Sequence, residues 1–127
     1  MTEKPRSLVA VLTAVLLVML GARATASELI MFERDGCAWC QRWNKEIGTI
    51  YDRTQEAQRL PLRRVNLDRQ AAGVTLKEPV RYSPTFVVVD GGAEVGRITG
   101  YSNDDSFWGS LAALLGKLPP SRAPHGS

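Results

Sequence analysis

Histidine is almost missing from this chain: its one copy, His125, stands third from the end. A zinc site takes three or four protein ligands, and two cysteines with no histidine near them fall short of that, so no metal is expected. A membrane-length apolar run is missing too. The run from Leu8 to Leu20 is 13 residues long, under the ~18 to 20 that cross a bilayer. Charge of one sign is also scarce. The chain has 16 Lys and Arg against 13 Asp and Glu, and residues 1 to 26 hold Lys4, Arg6, Arg23 and Glu3, which leaves 13 against 12 in the remainder. A net charge of about +1 supplies no basic stripe for nucleic acid or an anionic membrane. Arg59, Arg63, Arg64 and Arg69 do cluster in sequence, where a solvated face at a helix-to-strand junction is expected. Length is limiting as well: 127 residues hold one hydrophobic core but not two ordinary domains.

What is present begins with an export signal. Lys4 and Arg6 form a basic start, Leu8 to Leu20 an apolar centre, and Ala24-Thr25-Ala26 a small-x-small cleavage site, so residues 1–26 read as a secretory signal cleaved after Ala26. Ala22-Arg23-Ala24 is a second such site, and an uncleaved anchor is the alternative. The expected organisation is then signal 1–26, one domain 27–120 and a disordered tail 121–127. An exported domain meets an oxidising compartment in which disulfides persist.

Both cysteines lie in Gly36-Cys37-Ala38-Trp39-Cys40. Before them Glu28 to Glu33 reads as a short buried strand. After them Trp43, Ile47, Ile50, Tyr51, Thr54 and Ala57 recur at helical spacing, which predicts one amphipathic helix of roughly twenty residues from Trp39 to about Leu60, with Pro61 ending it. Gly36 allows the turn into the helix, so Cys37 is expected at its mouth and Cys40 one turn deeper, with different accessibility. Leu62 to Asp68 alternates as a second strand, parallel to the first through a right-handed βαβ connection. Residues 69–83 read as an irregular loop. Thr85 to Asp90 and Ala93 to Thr99 flank Gly91-Gly92 as a hairpin, and Asn103 caps a last helix that Pro119-Pro120 stops. For the cysteine pair, two free thiols, a purely structural crosslink and half a zinc site stand beside redox exchange. A four-residue loop removes little chain entropy, which disfavours the structural crosslink, and a helix start favours a thiolate.

The order β-α-β, connector, β-hairpin, α, with CxxC at the first strand-to-helix turn, resembles the thioredoxin fold: an α/β domain with a central mixed sheet of about four strands flanked by helices. Ser83-Pro84-Thr85 stands where thioredoxin-like proteins keep a cis-proline facing the cysteines, and Gly96-Arg97-Ile98-Thr99-Gly100-Tyr101 resembles their stretch after the hairpin. CAWCQRWNKEI, YSPTFVVVDGGAEVGRITGY and SFW are most similar to the exported SoxS-type thioredoxins of bacterial sulfur-oxidation clusters. The resemblance covers most of residues 28–118.

That resemblance implies a periplasmic thiol–disulfide oxidoreductase, a reductant that keeps a partner protein's cysteine active. Cys37 would be the nucleophile and Cys40 the resolving thiol of a redox-active disulfide, with Trp39, Ser83 and the cis-proline Pro84 binding substrate. The implied partners are an exported protein with a reactive cysteine or disulfide, a sulfur carrier among them, and a membrane thiol electron donor. A monomer is expected, with no cofactor, no metal and no nucleic acid. A periplasmic dithiol oxidase or isomerase of the same fold, or a noncatalytic exported adaptor with a thioredoxin-like docking surface, are the alternatives. The chain also departs from the family pattern: Ala38-Trp39 replaces Gly-Pro, Met31 stands where thioredoxin has a buried acid, and Arg64 replaces a lysine beside it. Glu33 or water is left to accept the resolving thiol's proton. Asp35 would disfavour a nearby thiolate, and the helix dipole with Arg34 or Arg42 would favour one.

Overall fold

The computed structural model describes residues 26–69 and 72–120; the expected signal, to residue 25, and the expected disordered tail 121–127 lie outside them. β1 (Glu28–Glu33) is followed by α1 (Ala38–Trp43), a π-helical stretch (Asn44–Gly48), a 3-10 turn (Tyr51–Arg53) and α2 (Gln55–Arg59). Then come β2 (Leu62–Asn66), β3 (Thr85–Asp90), β4 (Ala93–Thr99) and α3 (Asp104–Leu115). The four strands form one sheet in the order β2-β1-β3-β4. β1 runs parallel to β2 and antiparallel to β3, and β3 is antiparallel to β4. This is the mixed sheet that a βαβ unit followed by a hairpin produces.

The pleat divides β1 between two cores. Leu29 and Met31 join Cys40, Trp43, Ile47, Phe86, Phe107 and Leu111 on one face. Ile30 and Phe32 join Val87, Val89, Leu67, Ala72 and Val80 on the other, and among the described residues that second cluster draws on no helix. Trp43, Phe86 and Phe107 meet with centroids 4.9 to 5.6 Å apart in tilted and edge-on pairs, a geometry that adds to their area burial. Together they fix how α1 and α3 lie on the sheet.

The single helix expected from Trp39 to Leu60 is four pieces. Gly48 lies so close under the helix that a Cβ there would stand 3.2 Å from Trp43 Cζ3, and the backbone widens into a π turn at this point. Thr54 is extended, and its hydroxyl accepts from Ala57 N at 3.2 Å, so it caps α2 rather than continuing the stripe. Ile50, expected on the buried face, is 42% exposed. Ile47 and Tyr51 remain fully buried because the π and 3-10 deviations, one loosening and one tightening the winding, keep them on the same side.

Smaller departures are local. β2 ends at Asn66, whose side-chain oxygen accepts from Asp68 N at 2.9 Å and turns the chain. α3 starts where expected, with Asn103 Oδ1 accepting from Ser106 N at 2.9 Å. It ends at Leu115, before the prolines. The basic cluster is not one solvated face, since alternation sends Arg63 and Arg64 to opposite sides of β2, onto Glu28 and Glu33 at 2.7 Å each. The 69–83 connector is partly anchored: Thr75 forms an isolated parallel bridge to Ala93 at the start of β4, and Glu94 Oε1 accepts from Lys77 N at 3.0 Å.

Candidate active site

β1 delivers the chain to a turn in which Gly36 has φ +75°, a conformation that side chains with a Cβ rarely adopt. Cys37 follows as the N-cap of α1. Its Sγ accepts from Cys40 N at 3.1 Å and is bonded to Cys40 Sγ, with the two Cα atoms 5.2 Å apart. The cysteines differ in access as expected. Cys37 is half-buried, whereas Cys40 is 3% exposed and belongs to the core cluster.

The other residues singled out from the sequence divide into those at this end of the sheet and those tied up elsewhere. The Ser83–Pro84 peptide is cis. Pairing of Phe32 with Thr85 sets Pro84 beside the end of β1 from which the cysteine turn departs, and Gly100 N donates to Pro84 O at 2.7 Å. The CxxC turn, Ser83-Pro84 and Gly100-Tyr101 therefore share one end of the sheet. Trp39 is 51% exposed and does not serve helix packing; the Arg42 guanidinium lies 5.5 Å from its ring centre. Arg34 is held by Asp68 at 2.7 Å and Arg42 by Glu46 at 2.5 Å, so both cations proposed to favour a Cys37 thiolate already have carboxylate partners.

Sequence reasoning missed two features. Glu46 bridges Arg42 and the Tyr101 hydroxyl, the latter at 3.1 Å. Burial, with the hydrogen bond to Glu46 behind it, pushes the Tyr101 phenol up to about 12. The Arg42–Glu46 spacing of four was a legible signal, but the link to Tyr101 spans 55 residues and only the fold creates it. The second feature is Tyr82, 66% exposed just before Ser83-Pro84.

Met31 is fully buried, with Arg64 Nη1 3.4 Å from its sulfur. Among the described residues no three His, Cys, Asp or Glu side chains converge as a metal site requires. The arrangement is thus a disulfide with one accessible sulfur, in a turn at the carboxyl end of the first strand, beside a cis-proline.

The model of the thioredoxin-like domain family matches residues 21–115. This chain belongs to that family. Among solved structures it is similar to the periplasmic thioredoxin SoxS from Paracoccus pantotrophus in its reduced form, with 41% identity over 72% of this chain and 97% of that one, at a TM-score of 0.69. The thioredoxins of Malassezia sympodialis (17% identity, 74% and 81% of the two chains, TM-score 0.58) and Fasciola hepatica (21%, 80% and 92%, 0.53) share the fold. No curated protein matches the chain. With this fold and its CxxC pair at disulfide distance, the thioredoxin-like chain is a thiol–disulfide oxidoreductase.

Proposed function

We propose that the chain is exported, cleaved after Ala26, and acts in the periplasm as a monomeric reductant that keeps the cysteine of another exported protein reduced. Likeness to a periplasmic thioredoxin at 41% identity supports the compartment. Cys37 is the attacking thiolate, because its sulfur is the one a partner can reach. The hydrogen bond from Cys40 N and the helix start favour its ionised form, and lowering its pKa below about 8.5 raises the reactive fraction at neutral pH. Attack on a partner's disulfide forms a mixed disulfide, which Cys40 resolves from its buried position one turn on. The partner leaves as a thiol and the Cys37–Cys40 bond forms. Trp39, Ser83 and Pro84 hold the partner's extended segment, and a membrane thiol donor returns two electrons to the disulfide. No cofactor takes part.

The observation that carries the role assignment is the difference in access between Cys37 and Cys40. With a substrate protein bearing an exposed disulfide, Cys40→Ser should accumulate a covalent complex on non-reducing gels and Cys37→Ser should not. Equal trapping by the two variants would remove the assignment.

A further inference from the structure

An exposed tryptophan between two cysteines needs something to hold it. Trp39 stands on the first turn of α1, half-exposed, and belongs to neither core cluster. A large side chain that is free to change rotamer loses that freedom when a partner docks on it, and the loss weakens binding. Here the ring is met from its own helix. The Arg42 guanidinium, three residues on, lies 5.5 Å from the ring centre, a cation–π contact across one helical turn. An arginine on an exposed helix face is itself mobile, so this contact orders Trp39 only if the guanidinium is fixed.

Glu46 fixes it. One carboxylate oxygen accepts from Arg42 Nε, and the other accepts from the Tyr101 hydroxyl at 3.1 Å. A helix-surface pair at i and i+4 is ordinary and contributes little by itself. The third partner is what sets this one apart. Tyr101 is buried, with its ring edge-on to Phe107 at 6.4 Å. It directly follows Gly100, whose N–H donates to Pro84 O at 2.7 Å. The line Trp39–Arg42–Glu46–Tyr101 therefore ends one residue from the backbone that braces the cis-proline. It joins the two parts of the surface beside Cys37, one on α1 and one on the turn before β3, through a tyrosine anchored in the core. Asp104, at the start of α3, is the competing carboxylate, since its charge is felt at both Arg42 and Tyr101.

We infer that Glu46 is a positioning residue for partner binding: it locks the Arg42 guanidinium against Trp39 and ties both to the Gly100-Tyr101 turn, so that the tryptophan is already set when a partner's polypeptide reaches Cys37. The inference rests on the reading of Trp39, Ser83 and Pro84 as the surface that holds the partner. Glu46 acts through Arg42 and not on the sulfurs, so its removal weakens docking and leaves the exchange chemistry as it was.

The test is reduction of insulin by the mature chain with dithiothreitol as electron source, KM and kcat being measured separately. Glu46→Ala, and the milder Tyr101→Phe that deletes only the hydroxyl, should raise KM about threefold to tenfold, the effect of ordering one large side chain on binding, with kcat kept within about twofold. In a Trp39→Ala background no ring is left to hold, and the same substitutions should change KM by less than about twofold. A second readout is the fluorine resonance of Trp39 in chain labelled with fluorotryptophan, identified by its loss in Trp39→Phe. It should move in both variants. An unchanged KM in Glu46→Ala would overturn the inference. So would an equal rise in the Trp39→Ala background, or a rise in Asp104→Asn with none in Tyr101→Phe. If the native chain leaves insulin unreduced, the reading of it as a reductant falls by itself. The Trp39 resonance then decides, moving in Glu46→Ala if the clamp exists and staying in place if it does not.

Discussion

At Gly96 the lack of a side chain decides how closely α3 lies on β4. A Cβ there would come within 2.5 Å of Leu114 Cδ2, in a stretch where Leu114 is buried beside Leu111 and Phe107. Gly96→Ala should therefore push Leu114 off its rotamer and lower stability by about 1 kcal/mol, net of the conformational gain of replacing a strand glycine. Urea unfolding measures it, and an unchanged or raised midpoint would mean that Leu114 has free space to turn into. The same scale explains why Cys37 and Cys40 are unequal although three residues separate them. One is the half-exposed cap of α1 and the other sits a turn inside, against Trp43 and the sheet.

Between elements, the 69–83 connector is secured by a buried ion pair. Glu94 Oε1 meets Arg97 Nη2 at 2.6 Å with the carboxylate side chain 2% exposed, and Arg97 also donates to Glu78 O at 2.7 Å. The Arg97 hydrogen bond first, with the Lys77 backbone N–H behind it, holds the Glu94 carboxyl below its usual range against the opposing effect of burial. A depressed folded-state pKa means a stabilising contribution that is complete above the ordinary value near 4.3 and disappears as pH falls through the lower folded value. Glu94→Gln should cost on the order of 3 kcal/mol at neutral pH, because Arg97 loses its partner, and should flatten the decline of stability below about pH 4.5. Equal slopes in the two proteins would place the acid sensitivity elsewhere. Pairs of this kind were invisible in the sequence: Glu94 and Arg97 are three apart on a strand that carries one extra residue, Val95, opposite the Val88–Val89 step of β3, and simple alternation would have put them on opposite faces. The broken helix was equally hidden. Its apolar period runs on through Ile47 and Tyr51 because the π and 3-10 turns offset each other, and only Trp43 against Gly48 and the Thr54 cap reveal the breaks.

Across the whole molecule, the strands, the parallel βαβ pair, the hairpin and the last helix were legible from local signals: alternating apolar runs, Gly91-Gly92, Gly36 before the cysteines and Asn103; the meeting of the CxxC turn with Ser83-Pro84 was legible only through the resemblance to the thioredoxin fold. What surrounds the disulfide was less so. The commitment of Arg34 to Asp68, of Arg42 to Glu46 and of Glu33 to Arg64 depends on partners up to 34 residues away, apart from the helical pair. The consequence is that Arg34 and Arg42, the two cations expected to act on Cys37, are both paired, and the local helix start and the Cys40 N–H are left to favour the thiolate.

The direction of electron flow is a property of this whole arrangement, and the reduction potential of the Cys37–Cys40 pair reports it. The mature chain is equilibrated in dithiothreitol or glutathione buffers of graded potential, and the oxidised fraction is read after acid quenching and thiol labelling. A reductant that keeps partner cysteines active should give a value below about −220 mV. A value above about −150 mV would contradict it and make the protein a dithiol oxidase.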